Sequence, residues 1–503
     1  MTQNNLPIIR KAKEAREKTA IIDITGSYSY KNLLEASYST AITILSGKPT
    51  LNSARIAFLI PSSFTYVRVL WAIWRAGGIA VPLSPLHPQP ELEYFIENSQ
   101  TNYIISTKKF KKLLMPICTK KNLFLHIIDD ENIETSNSKS SLPNIDLKTP
   151  AIILYTSGTT NKPKGVVLSH ENITNQVESL VEAWQWTEND FILNILPLHH
   201  IHGIINILTC ALWSKAKCEM HEKFNEKLIW ERFINGNFTL FMAVPTIYAK
   251  LSDAWNKLTT QKKKALSKTW INFRLMVSGS AALPKQLFEK WHEITGHQLL
   301  ERYGMTETGM ILSNTLEGIK LPGYVGIPLP KVSVILKNEN GEKCKEYEQG
   351  EILVKGENVF KKYWNNAQAT KESFQNGWFK TGDVGIIENG IYKILGRNSI
   401  DIIKSGGYKI SALEIENTLR EHPDIKDCAI VGINDNYWGE KIVCAIIPKE
   451  KTIPNAIEIK EWLKTQLASY KMPKEIRFVN EFPRNSMGKI SKSSIKILFE
   501  DNK

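Results

Sequence analysis

The chain has 503 residues, enough for two or more domains with sizeable cores. Hydrophobic residues make up 42% and charged residues 23%, and no uninterrupted apolar run reaches the length of a bilayer span. That composition excludes fibrous, disordered and membrane-embedded classes. The net charge of +13 suits polyanionic ligands, although most of the surplus lysines read as solvated decoration, as in Lys262-Lys263-Lys264. No recognition-helix or zinc-finger pattern supports nucleic acid.

The first twenty residues mix Lys and Arg with Glu14 and Glu17 and lack an apolar core, so they read as neither a secretory signal nor a transit peptide. The cytoplasm is the expected compartment. Six scattered cysteines without C-x-x-C pairs read as reduced thiols. The spacing of His199, His200 and His202 matches no zinc helix. Strand-like runs at 56–60, 103–105 and 152–155 alternate with helix-like periodicity at 172–183, which predicts layered α/β structure with mostly parallel strands. A polar patch at 134–141 reads as a surface loop. From about residue 325 the pattern turns to shorter alternating strands (332–336, 350–354, 386–387, 391–395). Beyond Gly396-Arg397 come a helix at 412–420, strands at 428–433 and 441–447, a helix at 458–467 and a strand at 476–479. The expected organisation is a large N-terminal domain, 1–397, and a small α+β domain, 398–503, able to fold by itself.

The most telling stretch is Tyr155-Thr156-Ser157-Gly158-Thr159-Thr160-Asn161-Lys162-Pro163-Lys164-Gly165, directly after the apolar run 151–154. Small hydroxyls, glycine and lysines in one loop suit phosphate oxygens, yet no Gly-Lys-Ser/Thr follows at Walker spacing. Further on, Tyr303-Gly304-Met305-Thr306-Glu307-Thr308-Gly309 sets a hydroxyl and a carboxylate beside glycines, and Glu307 offers the hard oxygen that Mg2+ needs. Thr381-Gly382-Asp383 places a carboxylate on a tight turn suited to ribose hydroxyls, and Arg397 follows at the domain junction. Lys404-Ser405-Gly406-Gly407-Tyr408 precedes a helix, and Pro483 to Ile490 presents Lys489 after a glycine turn.

In this order, these strings make the whole chain resemble the adenylate-forming superfamily, which includes acyl-CoA synthetases. The resemblance implies a large body of α/β subdomains with a distorted barrel, and a mobile C-terminal lid. It implies ATP, Mg2+ and coenzyme A as cofactor and substrates. Thr156, Ser157, Gly158, Thr159, Thr160 and Lys164 would handle phosphates. Gly279, Ser280, Ala281 and Tyr303 would line the adenine side, and Asp383 and Arg397 would hold the ribose. Thr306, Glu307 and Lys489 would be catalytic, with Glu307 on the metal. Lys404, Ser405, Gly406, Gly407 and Tyr408 would flank the coenzyme A channel once the lid has turned. Asn161 stands where the family usually has glycine, and the segment 397–401 is a residue longer than in many relatives, which puts the hinge within 398–400.

The segment Pro197 to Ile204, with His202, and the residues around Tyr303, including Met305, are expected to form the acyl pocket. Arg302 enters it, and a buried guanidinium calls for an anion, here the second carboxylate of a diacid. The phrases 276–284, 301–310 and 401–409 look especially like malonyl-CoA synthetases, so malonate, or methylmalonate, is the expected substrate. A plain medium-chain or aromatic acid, with Arg302 turned outward, is the nearer alternative; as a structural prop, Arg302 would instead pair with Glu301 or another acid. A non-catalytic nucleotide binder is the further one.

Overall fold

The computed structural model describes residues 5–128, 141–156, 163–406, 408–435, 437–449, 455–484 and 490–500. Within them the alternation of the first half becomes two sheets with helices between. One sheet runs Lys362–Tyr363, Lys164–Ser169, Pro150–Thr156, Ile79–Pro82, Arg55–Leu59, Tyr103–Thr107, Phe124–Ile128. From Pro150–Thr156 to Phe124–Ile128 its strands pair in parallel, and Arg55–Leu59 shows the reason for its hydrophobic run: it is buried on both faces.

The second sheet is mixed. Its parallel half contains Phe191–Asn194, Leu240–Ala243, Leu275–Ser278 and Leu300–Met305. It continues without a break into antiparallel strands Gly309–Ser313, Tyr324–Pro328, Ile391–Arg397, Trp378–Glu388, Gly350–Lys355 and Ser333–Lys337. These antiparallel strands are the region expected as the distorted barrel, and the change of strand direction falls between Leu300–Met305 and Gly309–Ser313. Helix Phe64–Arg75 is buried along its whole length, and Trp71 and Trp74 within it anchor the core. Helix His170–Ala183 starts at a capping box in which Ser169 and Asn172 satisfy each other's backbone N–H groups.

After Arg397 the chain builds a separate five-stranded sheet from Ile402–Ser405, Tyr408–Ser411, Ile425–Asp435, Gly439–Pro448 and Glu475–Phe478. Helices Ala412–Leu419, Ala456–Lys464 and Lys492–Glu500 cover it, with its own core around Ile415, Ile430, Ile442 and Leu463. The α+β layout expected for this segment is present, with longer strands than the apolar runs alone mark out. The polar patch at 134–141 lies outside the described residues except for its last position.

Candidate active site

The phosphate-loop expectation rests on a hairpin whose arms are in place: Pro150–Thr156 pairs antiparallel with Lys164–Ser169, and Thr156 faces Lys164 in register. Ser157, Gly158, Thr159, Thr160 and Asn161 lie outside the described residues. Lys164 returns from that loop with its ammonium 5.1 Å from the centre of the Tyr363 ring.

Strands Leu275–Ser278 and Leu300–Met305 run in parallel with Ser278 opposite Glu301, so their C-terminal ends deliver residues 279–281 and 302–305 to one place. Open α/β sheets bind ligands at such ends. Arg302 is buried there, 4% exposed. Its Nη2 donates to Ser280 Oγ at 3.4 Å, while its Nε has no hydrogen-bond partner. No carboxylate pairs with it among the described residues. Glu301, the alternative partner, points to the other side of the strand and accepts from the Gly323 N–H at 2.7 Å. Burial draws the Arg302 guanidinium down to about 9, so it stays cationic at neutral pH.

The guanidinium fits because position 279 has no side chain. A Cβ at Gly279 would stand 2.4 Å from Arg302 Cζ. Ser280 holds a left-handed φ of 69°, unusual for a residue with a side chain, and its Oγ lies 3.2 Å from His202 Nδ1. The structure thus puts Gly279 and Ser280, read from the sequence as adenine-side residues, against Arg302. His202 is the first residue of a π-helical stretch, His202–Thr209, which the sequence did not signal. Its Nε2 is buried without a partner. Burial and the nearby Arg302 push its imidazole well below the ordinary range, so it is neutral. Arg302 is therefore the charge of this wall.

The change of strand direction is made by a tight hairpin in which Met305 faces Gly309 and Thr306, Glu307 and Thr308 form the turn. Glu307 is buried at 5% exposure and accepts a 2.9 Å hydrogen bond from the Tyr363 hydroxyl. Burial raises its carboxyl above the ordinary range, against that hydrogen bond and the positive charges of Arg397 and Lys164. Among the described residues no cluster of three acidic, His or Cys side chains exists that would cage a metal. One carboxylate near Lys164 and Arg397 nevertheless suits Mg2+, which takes most of its remaining ligands from phosphate and water.

Strands Trp378–Glu388 and Ile391–Arg397 place Asp383 opposite Arg397, and Arg397 Nε donates to Asp383 Oδ1 at 3.0 Å. Tyr303 donates its hydroxyl to the other oxygen of Asp383. Burial pulls Arg397 down, but Asp383 outweighs it and leaves the guanidinium above its usual value. Burial and Asp383 push the Tyr303 phenol well up, so it remains a donor.

Ser280, Ala281, Arg302, Tyr303, Met305, Asp383 and Arg397 face a single cleft of about 1340 Å3 between the large unit and the small one. From the small unit, Glu414, Lys471, Ile490 and Lys492 line the same cleft. Lys489 and Gly407 lie outside the described residues. Lys404, Ser405, Gly406 and Tyr408 are not part of the cleft. Lys404 instead reaches Glu339 at 3.6 Å, the Gly406 N–H donates to the Trp438 carbonyl, and Tyr408 stacks on Tyr470 at 4.4 Å. Residues 398–400 form a turn in which the Ile400 and Asp401 N–H groups return to the Arg397 carbonyl.

Two contributors escaped the sequence reading. Tyr363 sits in an aromatic run, Tyr363-Trp364, with no motif to mark it. Lys492 is buried between Asp401 at 2.6 Å and Glu416 at 2.8 Å, and its only sequence signal is a second lysine three places after Lys489.

A strand-end cleft with a buried guanidinium that no acid matches among the described residues, an acid–arginine pair and a small separate unit on its far side has the chemistry of a site for nucleotides and anions. Residues 8–364 match the AMP-binding enzyme family and residues 414–489 its C-terminal domain. The chain belongs to that family. It is 40% identical to the mitochondrial malonate–CoA ligase ACSF3 of Mus musculus, over 98% of this chain and 91% of that protein. It is 39% identical to a malonate–CoA ligase of Arabidopsis thaliana, over 90% of this chain and 79% of the other. Among solved structures, ATP-bound MatB from Rhodopseudomonas palustris superposes with a TM-score of 0.89 at 30% identity, covering 99% of both chains.

Proposed function

We propose that the protein is an AMP-forming acid–thiol ligase that converts malonate, or methylmalonate, to its coenzyme A thioester. The observation that carries the substrate is Arg302: a buried cation, seated over Gly279, with an unpartnered Nε and no acid to pair with among the described residues. A desolvated guanidinium without an anion is costly, and the distal carboxylate of a diacid removes that cost. The names of the relatives agree with this reading.

In the first half-reaction the substrate carboxylate attacks the α-phosphorus of ATP, and pyrophosphate leaves. Two anions meet in that step, so cations must neutralise the charge that builds up. Lys164 stands at the end of the phosphate loop for this purpose, and we assign Lys489, from the lid, to the space between carboxylate and α-phosphate. Mg2+, when bound, neutralises phosphate charge, and Glu307 is the residue to hold it. Asp383, fixed by Arg397 and Tyr303, receives the ribose hydroxyls. Arg302 holds the far carboxylate, which leaves the near one free to attack. In the second half-reaction the thiol of coenzyme A displaces AMP. For that step the unit beyond Arg397 turns about 398–400 and brings Lys404 to Tyr408 to the cleft. We place the domain boundary at 397/398 and the protein in the cytoplasm.

The decisive experiment measures pyrophosphate release with malonate, methylmalonate, butyrate and benzoate, with and without coenzyme A. Release that depends on the diacid, followed by thioester only when coenzyme A is present, is the expected result. Equal or faster turnover of butyrate or benzoate removes the diacid assignment. No release with any acid leaves a nucleotide binder.

A further inference from the structure

Tyr363 belongs to no motif, yet its side chain joins the two groups that the reaction needs at the phosphates. It lies in the two-residue strand Lys362–Tyr363, which pairs with Lys164–Ser169 so that Tyr363 faces Val166. Its hydroxyl donates to Glu307 Oε1 at 2.9 Å, and its ring supports the Lys164 ammonium at 5.1 Å. The side chain is buried, with Phe360 against it at 4.8 Å between ring centres.

The surrounding backbone makes this arrangement stiff. The Phe360 N–H donates to the Glu307 carbonyl at 2.7 Å, and Asn358 Nδ2 donates to the Thr308 carbonyl at 2.6 Å. Asn172, on the helix after the phosphate hairpin, donates from Nδ2 to the carbonyls of Glu357 and Val359 at 2.7 and 3.0 Å. Residues 357–363 therefore strap the Glu307 turn to the hairpin that carries Lys164.

We propose that Tyr363 is a positioning residue that sets the spacing between the metal-holding carboxylate of Glu307 and the phosphate-holding ammonium of Lys164 before nucleotide arrives. Packing explains the ring. It does not explain the hydroxyl, because phenylalanine would fill the same space and present the same face to Lys164. The hydroxyl fixes which way the carboxylate points, and a ligand held in advance loses less orientational freedom when the ion binds. The inference rests on the roles proposed above for Glu307 and Lys164.

The test uses the full-length protein and three variants, with Mn2+ as a paramagnetic probe. Tyr363→Phe should weaken Mn2+ binding to the enzyme–ATP complex roughly ten-fold, as loss of one hydrogen bond to a charged group does. The concentration of Mg2+ needed for half-maximal malonate-dependent pyrophosphate release should rise by a similar factor. ATP affinity without divalent ion and the denaturation midpoint should stay near wild type. Tyr363→Leu, which also removes the ring, should in addition weaken metal-free ATP binding. Glu307→Gln separates the failure of this inference from that of its premise. If Glu307→Gln weakens Mn2+ binding and Tyr363→Phe does not, the positioning role is overturned, whether or not stability changes. If neither variant alters Mn2+ affinity, Glu307 is not the metal-holding residue and the premise falls with the inference.

Discussion

In the proposed reaction Arg302 selects the substrate by charge, and its surroundings set whether that charge is usable. Arg302→Met keeps much of the volume but removes the cation. Truncating one partner of a buried charge pair costs ~2–5 kcal/mol, so catalytic efficiency with malonate should fall by roughly two to three orders of magnitude. Butyrate should gain in relative terms, because its methyl end no longer meets a bare guanidinium. Steady-state kinetics with both acids tests this, and unchanged discrimination would make Arg302 a structural residue. Gly279→Ala should mimic much of that loss without touching a charge, since the new methyl would stand 2.4 Å from Arg302 Cζ. Binding of AMP is the control that should change little. That Arg302 would be buried beside this strand end was legible in the sequence, because an arginine preceding Tyr303-Gly304 is chemically conspicuous. The seat of Gly279 under Arg302 was not, because it arises only from the parallel pairing of Leu275–Ser278 with Leu300–Met305.

The neighbouring acid behaves differently. Burial raises the Glu301 carboxyl from 4.5 to about 8, despite backbone hydrogen bonds from Gly323 and Leu283 that oppose the rise. The folded state therefore holds this proton at pH values where the unfolded chain has released it. Its contribution is complete below about pH 4.5 and is lost as pH rises to about 8. Glu301→Gln keeps an acceptor for the Gly323 N–H and removes the titration, so denaturant titrations at pH 6 and pH 8 should show a smaller decline than wild type. An equal decline in both proteins would assign the pH dependence to other groups.

Among elements, the Met305–Gly309 hairpin carries the greatest constraint, since it aims Thr306 and Glu307 and reverses the strand direction of the sheet. Gly309 has a φ of +62°, and a Cβ there would fall 1.6 Å from Gln176 Oε1. Gly309→Ala should destabilise the protein by ~1–3 kcal/mol through overpacking, with left-handed strain in addition. Its denaturation midpoint should drop, and adenylation should fall even in the fraction that remains folded. A wild-type midpoint would show that helix His170–Ala183 yields easily. Element types were largely legible, because buried parallel strands read as apolar runs and the capped helix reads at its period. The π-helix at His202 was not, since a shift from α to π spacing leaves no clear mark in an all-apolar segment. The strap at 357–363 was equally silent, because its work is done by backbone donors and two asparagines.

On the scale of the whole molecule, Lys492 ties the small unit to the end of the connecting turn. Burial pulls its ammonium down, but Glu416 and Asp401 outweigh that and keep it above the ordinary value. Lys492→Met should cost up to ~3–5 kcal/mol by taking the nearest cation from buried Glu416, which keeps Arg420 at 3.6 Å, and from half-buried Asp401. The loss should appear in unfolding of the small unit, followed by Trp438 or Trp462 fluorescence, before the large unit melts. Simultaneous loss of both units at the wild-type midpoint would deny the bridge that weight. The division into a large and a small unit was visible from the changed strand pattern after Gly396-Arg397. This clamp was not, because it joins residues 91 positions apart.

That clamp has a mechanical consequence. Asp401 is bound to the small unit through Lys492, and Arg397 is bound to the large unit through Asp383. If the small unit turns about 398–400 as proposed, the motion has few soft torsions to act on: the φ and ψ angles of Asn398, Ser399 and Ile400. A swing about so short an axle would follow an arc rather than a diffuse search, and replacing Ser399 with proline should jam it by freezing one of those angles.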